Sequence, residues 1–185
     1  MKVILVSASP RRQELLAAAG IEVLVKPAHL DESRRPGLHP IAYARDLARR
    51  KAESIGSLAG AVAIGADTVV HRGEQLFDKP RSRGEAALTL RALAGDWHSV
   101  TTAVCVRSST RMEAIEVTTK VRFRALTSAD VERYVATGES DDKAGAYGIQ
   151  GTGGSLVAEI RGSYTNVVGL PLEETLATLR TVIGA

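Results

Sequence analysis

The chain has 185 residues, of which 44% are hydrophobic and 24% are charged, and its formal net charge is +3. This length and composition are those of a globular protein that can bury a substantial core. A charge of +3 suits an anionic ligand, but aromatic residues make up only 4% of the chain, which argues against a stable nucleic acid partner.

Cys105 is the single cysteine in the sequence, so we expect a buried thiol in a reducing compartment and no internal disulfide. The chain has no secretory cleavage pattern, and no apolar stretch approaches the roughly 20 residues that span a bilayer. We therefore expect a cytoplasmic protein with no membrane partner.

The first third of the chain predicts strands that alternate with helices. In order, these are a strand over Lys2–Val6, a helix over 13–19 that ends at Gly20, a strand over 21–25, a polar loop over 26–40 and a helix over 41–54.

An apolar run over 61–70, followed by a turn over 71–74, has the profile of a strand that is covered on both faces. Residues 97–106 and 112–123 predict a β-hairpin. The remaining predictions are helices over 82–93, 127–138 and 171–181, a strand over 156–160 and loops over 139–154 and 162–168. The mixture indicates an α/β or α+β fold with a mixed sheet. We expect one domain over 1–185, which could form two lobes with a cleft between them.

The corner between the first strand and the first helix is a candidate anion site. Ser7 and Ser9 precede Pro10 at the helix start, and Arg11 and Arg12 follow it. Unpaired N–H groups at a helix N-terminus and arginine side chains both attract phosphate. A capped helix with two solvated arginines explains the same residues.

Asp67 lies near the end of the apolar run over 61–70, where a buried carboxylate is costly unless it is paired, binds a metal or faces a cleft. A metal ligand or a general base is the functional interpretation, and a strand-end cap is the structural one. Glu32, Lys51 and Lys79 are ordinary surface charges unless they converge on the same site.

The segment from Gly145 to Gly151 is rich in glycine and contains Tyr147 and Gln150. Glycines allow a backbone to approach a ligand closely, and a glutamine amide can read the edge of a base. A mobile surface loop accounts for this composition equally well. The G-x-G-x-x-G pattern is absent, as is the P-loop G-K-[ST].

Taken together, these motifs resemble the Maf family, which are nucleoside triphosphate pyrophosphatases once named as septum-formation inhibitors. The resemblance rests on five stretches in the right order: Ser7 to Arg12, Gly65 to Val70, Lys79-Pro80, Gly145 to Gly151, and Gly162 to Pro171. It implies an elongated mixed sheet flanked by helices, with a central cleft, similar to the inosine triphosphate pyrophosphatases.

The resemblance also implies hydrolysis of a nucleoside triphosphate to the monophosphate and pyrophosphate, with Mg²⁺ or Mn²⁺, by a homodimer. Arg11, Thr68 and Gln150 match the branch of the family that prefers dTTP and UTP. We expect these three residues to select the substrate, although modified nucleotides are an open alternative.

On this basis we expect Asp67 to activate the attacking water, either as a base or through the metal, and Glu32 to share the metal. The residues expected to bind phosphate are Ser7, Ser9, Arg12, Lys51 and Lys79. The competing hypothesis is a non-catalytic, nucleotide-binding regulator of cell division.

Overall fold

The computed structural model describes residues 1–33 and 37–184. Residues 34–36, which belong to the predicted loop over 26–40, lie outside the described residues. Among the described residues, the strands form one seven-stranded sheet. They are β1 (Lys2–Val6), β2 (Val23–Val25), β3 (Ala61–Arg72), β4 (Gln75–Phe77), β5 (Trp97–Arg107), β6 (Met112–Phe123) and β7 (Val157–Arg161).

The sheet is mixed, which confirms the predicted fold class. Its order is β2-β1-β3-β5-β6-β7, and β4 pairs with β3. Strand β1 runs parallel to both β2 and β3, whereas β4 is antiparallel to β3 and β7 is antiparallel to β6. The helices that accompany the sheet are α1 (Pro10–Ala18), α2 (Pro40–Glu53), α3 (Arg83–Leu93), α4 (Ser128–Ala136), α5 (Tyr164–Val168) and α6 (Leu172–Ile183).

The structure differs from the predicted elements most clearly at α5, which replaces the loop expected over 162–168. Ser163 accepts a hydrogen bond from the backbone N–H of Asn166 (3.2 Å), and the buried Asn166 amide donates to the Val100 carbonyl (3.0 Å). These contacts hold a short helix in a sequence whose polar composition favours a loop. The expected turn over 71–74 also begins later, because β3 continues to Arg72.

The described chain divides into two compact units. The first comprises 1–68, 102–117 and 169–185, and the second comprises 69–101 and 118–168. In the first unit the main core joins alternate residues of β3 to α1 and α6, through side chains such as Ile64, Leu16 and Leu179. A smaller apolar cluster, which includes Ile4 and Ala63, lies on the other face of β1 and β3.

The second unit has an aromatic centre. His98, Phe123 and Tyr147 meet edge to face, with ring centroids 4.7 to 5.5 Å apart. Leu90 and Leu93 of α3 are fully buried in the same unit. Cys105, in the first unit, is buried as expected. None of the described helices is long and apolar enough to cross a membrane.

Candidate functional site

The corner between β1 and α1 leaves polar groups available to a ligand. Pro10 begins the helix, and the hydroxyl of Ser9 makes no capping hydrogen bond. Ser7 accepts from the backbone N–H of Ser9 (3.2 Å), which leaves its own O–H free to donate. Arg11 is half-buried and makes no hydrogen bond or ion pair with any described residue. The helix N-terminus and Arg11 together can therefore bind an anion.

Arg12 behaves differently from its neighbour. It is buried, and four of its five N–H groups donate to protein oxygens. The acceptors are the Gly169 carbonyl (2.8 Å), the Ser7 hydroxyl (2.9 Å), the Ala66 carbonyl (2.9 Å) and the Thr68 hydroxyl (3.0 Å).

Asp67 sits near the point where β3 leaves the first unit, with its side chain on the face that packs against α2. Lys51, on α2, places its ammonium group 2.9 Å from Asp67 Oδ1 and 2.8 Å from Glu32 Oε1. The lysine and Asp67 are largely buried, whereas Glu32 is half-exposed. The structure thus brings together Asp67 and Glu32, which the family resemblance predicted to share a metal, and Lys51, which it predicted to bind phosphate.

Burial raises the pKa of Asp67, and the charges of Lys51 and Arg12 oppose that rise without cancelling it. A carboxyl group whose pKa is raised in this way is better matched to proton transfer than a solvated aspartate. Asp67 therefore has the environment of a general base.

The donor set at this point also suits a divalent cation. The carboxylates of Glu32 and Asp67 lie close together, because both contact the Lys51 ammonium group. Carboxylate oxygens are the ligands that Mg²⁺ and Mn²⁺ prefer. No group of three or more His, Cys, Asp or Glu side chains able to hold a metal occurs among the described residues. Two carboxylates fit the common arrangement in which Mg²⁺ completes its shell with substrate phosphates and water.

Gly65 explains how α2 comes so close to β3. A Cβ atom at this position would lie 2.2 Å from the Ala48 carbonyl oxygen and 2.6 Å from the Ala52 nitrogen, both in the backbone of α2. Lys51 lies between Ala48 and Ala52 on α2, so it belongs to the part of the helix that is closest to Gly65. The sequence did carry a signal for this role, because a glycine inside an apolar strand often marks a close backbone approach.

The other two predicted site residues belong to the second unit. Lys79 follows β4, and Gln150 directly precedes a 3₁₀ turn over Gly151–Leu156. Both side chains are exposed, and neither makes a hydrogen bond or ion pair with the described residues. Both remain available to a ligand.

Glu139 anchors the loop that carries Gln150, a role not predicted from the sequence. Its carboxylate accepts hydrogen bonds from the backbone N–H groups of Thr152 (3.1 Å) and Gly153 (3.3 Å). These bonds lower the pKa of Glu139. The backbone two and three residues after Gln150 is therefore held in place, while the Gln150 side chain has no hydrogen-bond partner within the described ranges.

Comparison with known proteins gives one family model over nearly the whole chain and relatives that share one printed activity. A family model described as "Maf-like protein" matches residues 2–182. The dTTP/UTP pyrophosphatase of Anaeromyxobacter dehalogenans (strain 2CP-1) is 47% identical to this chain over 97% of the chain and 93% of that protein. The dTTP/UTP pyrophosphatases of Aquifex aeolicus and Bacillus pumilus are each 44% identical, over 97% of this chain and 95% and 96% of their own lengths.

Two solved structures show a weaker likeness. The nucleoside-triphosphatase, or dITP/XTP pyrophosphatase, of Mycobacterium abscessus is 16% identical with a TM-score of 0.46, over 97% of this chain and 94% of its own. The Staphylococcus aureus Ham1 protein is 11% identical with a TM-score of 0.48, over 85% of this chain and 80% of its own.

Proposed function

The chain belongs to the Maf family, and on that premise we propose that it is a nucleoside triphosphate pyrophosphatase. Its proposed substrates are dTTP and UTP, which it hydrolyses to the nucleoside monophosphate and pyrophosphate. The names of relatives that are 44% to 47% identical over nearly the full chain support this choice of substrate.

One observation carries the catalytic part of the proposal, namely the buried contact between Asp67 and Lys51 with Glu32 beside it. Asp67 accepts a proton from water, and the water oxygen forms a bond to the α-phosphorus. The bond from that phosphorus to the bridging oxygen breaks, and pyrophosphate leaves with the electron pair. Lys51 holds the Asp67 carboxylate in place and offsets the charge that builds up on the phosphates.

Glu32 and Asp67 would hold a Mg²⁺ or Mn²⁺ ion, which when bound supplies positive charge against the triphosphate. This assignment rests on the pair of carboxylates and on their shared position around Lys51.

The phosphates are proposed to lie against the N-terminus of α1. Ser7 and Ser9 have hydroxyl donors available there, and the guanidinium group of Arg11 has no hydrogen-bond or ion-pair partner in the part of the chain that the structure describes. Lys51 and Lys79 supply further positive charge. Arg12, which the sequence also placed in this group, has a single N–H left for such a contact.

Substrate selection is assigned to Arg11, Thr68 and Gln150. Gln150 has the strongest structural support, because its amide has no hydrogen-bond partner among the described residues and the backbone beside it is anchored by Glu139. A glutamine amide can donate to and accept from the edge of a pyrimidine. Thr68 has its hydroxyl within hydrogen-bond distance of both Arg12 and Thr102, so its influence on the substrate would be indirect.

The test is a panel of nucleoside triphosphates, including modified pyrimidine nucleotides, assayed for pyrophosphate with Mg²⁺ or Mn²⁺. We expect dTTP and UTP to be hydrolysed fastest.

Asp67→Asn should lower kcat by about 10²–10⁴-fold, because it removes the base. Asp46→Asn is the matched control, because Asp46 lies on the same helix as Lys51 but pairs only with Arg49 and Arg50 among the described residues, and it should keep wild-type kcat. Near-normal turnover by Asp67→Asn would contradict the mechanism, and a preference for purines would contradict the substrate.

The competing hypothesis, a regulator of cell division that binds nucleotide without hydrolysing it, makes a different prediction. It requires dTTP to bind in the presence of metal with no release of pyrophosphate. The relatives of this chain, which are named as pyrophosphatases, favour the enzyme. The buried contact of Asp67 with Lys51 gives that enzyme a carboxylate held in one position.

We also propose that the protein acts in the cytoplasm as a homodimer, as the family resemblance implies. Light scattering on the purified protein measures the second point, and a molar mass of one chain would contradict it.

A further inference from the structure

We propose that Arg12 is a positioning residue, which fixes the backbone around Asp67 instead of binding phosphate. The inference rests on the proposed function and deepens it, because it assigns different roles to the two consecutive arginines. Arg11 would contact the substrate, and Arg12 would hold the base in place.

The first argument is where the hydrogen bonds of Arg12 go. Its guanidinium group donates to the carbonyl of Ala66 (2.9 Å) and to the hydroxyl of Thr68 (3.0 Å). These two residues flank Asp67 on either side. One planar group therefore fixes the chain immediately before and immediately after the proposed base.

The second argument is what else the same group holds. Nε donates to the carbonyl of Gly169 (2.8 Å), where the chain enters α6, and Nη1 donates to the hydroxyl of Ser7 (2.9 Å) at the end of β1. Arg12 thus joins the end of β1, the segment around Asp67 and the approach to α6. All of these belong to the first unit.

The third argument is the number of donors. An arginine has five N–H groups, and Arg12 uses four of them on protein oxygens while it is only 8% exposed. A bidentate grip on a phosphate needs two parallel N–H groups, which Arg12 no longer has. Arg11, by contrast, has all five available within the described part of the chain.

The chemistry of the side chain explains why an arginine is needed. A guanidinium group presents its donors in a rigid plane and in three directions, whereas a lysine ammonium is a compact charge on a flexible stem. Lysine at position 12 would keep the charge and lose the geometry. The conservative substitution therefore separates positioning from simple electrostatic attraction.

The experiment compares Arg12→Lys with Arg11→Lys in the full-length protein, with dTTP and metal, well below the melting temperature. Displacement of a catalytic group by about 1 Å can cost on the order of 10²-fold in rate. We expect Arg12→Lys to lower kcat by about that factor while KM changes less than about threefold. Arg11→Lys should raise KM by a larger factor than Arg12→Lys does, because Arg11 is the arginine proposed to contact the phosphates.

Two results would overturn the inference. If Arg12→Lys raises KM and keeps kcat, Arg12 is a phosphate ligand. If it lowers only the melting temperature, its role is confined to folding. The wild-type rate with dTTP is measured first, because an inactive wild type would refute the proposed function and not this assignment.

A second variant tests the same role without changing Arg12 itself, so the proposal can be tested even if Arg12→Lys fails to fold. Thr68→Val removes one acceptor of Arg12 and keeps the shape of the side chain. We expect it to lower kcat less than Arg12→Lys does, and the double variant to be no worse than Arg12→Lys alone, because both act on the same hydrogen-bond network. Fully additive losses would contradict the shared role.

Discussion

Lys51 places one ammonium group against two carboxylates, those of Glu32 and Asp67. Such a contact is costly to bury, and its value for stability is small unless the geometry is good. Its arrangement makes more sense for chemistry, because it keeps a carboxylate with a raised pKa next to a fixed positive charge. The sequence marked all three residues, but only the fold shows that they meet.

His98 allows a test at the same scale that does not depend on the catalytic site. It is 1% exposed, its Nε2 pairs with the Tyr147 hydroxyl (2.9 Å), and its Nδ1 has no hydrogen-bond partner among the described residues. A charged imidazole would donate from both nitrogens. Burial therefore lowers the pKa of His98 from 6.5 to about 3.

The sign of the effect on stability follows from proton binding. Between pH 6.5 and 3 the unfolded chain protonates His98 and the folded chain does not. The contribution of His98 to stability is therefore present above pH 6.5 and is lost as the pH falls, by up to about 1.4 kcal/mol per pH unit. His98→Gln can keep the contact with Tyr147 and cannot titrate, so urea unfolding from pH 7 to 4.5 should show a shallower loss.

His29→Gln, at an exposed position, serves as the control and should keep the wild-type pH dependence. Parallel curves for the wild type and His98→Gln would contradict the assignment of His98 as a buried neutral imidazole.

The packing of α2 on β3 is the element on which the site depends most. Glycine is the only residue type that fits at position 65, between the backbones of β3 and α2. A Cβ atom there would lie within 2.6 Å of main-chain atoms of α2 and 3.0 Å from Lys51 Cβ. Main-chain atoms of a helix cannot move aside individually, so a larger residue must displace the helix. That displacement carries Lys51 away from Asp67.

Gly65→Ala should therefore lower both stability and activity. Overpacking typically costs 1–3 kcal/mol, so we expect about that loss in urea unfolding, together with a fall in kcat. Gly84→Ala is the matched control, since it lies in α3 and its Cβ would have no neighbour closer than 3.8 Å. It should stabilise the protein by about 0.4–1 kcal/mol. Wild-type behaviour of Gly65→Ala would contradict the role given to this glycine.

The sequence predicted regular elements better than irregular ones. Strand β1 was predicted with its observed bounds, and the helix predicted over 127–138 was found as α4, because apolar runs and capping patterns are local signals. Helix α5 was missed because its stability comes from Asn166, whose partners Val100 and Thr119 are distant in the chain. The role of Glu139 was missed for the same reason.

At the scale of the whole molecule, the motifs are divided between the two compact units. The first contains eight of the predicted site residues, from Ser7 to Thr68, and the second contains Lys79 and Gln150. The order of these motifs along the chain identified the family from the sequence, and a family match over residues 2–182 agrees with it. Which side chains meet inside the first unit could not be predicted, because it depends on how α1, α2 and β3 pack.

The central claim is that this chain cleaves the bond between the α- and β-phosphates of a pyrimidine nucleoside triphosphate and uses Asp67 to do so. The most direct measurement is ³¹P NMR of the products from dTTP with Mg²⁺, for the wild type and for Asp67→Asn. We predict dTMP and pyrophosphate in equal amounts from the wild type, and almost no product from the variant in the same time. Formation of dTDP and inorganic phosphate, or equal rates for the two proteins, would contradict the claim.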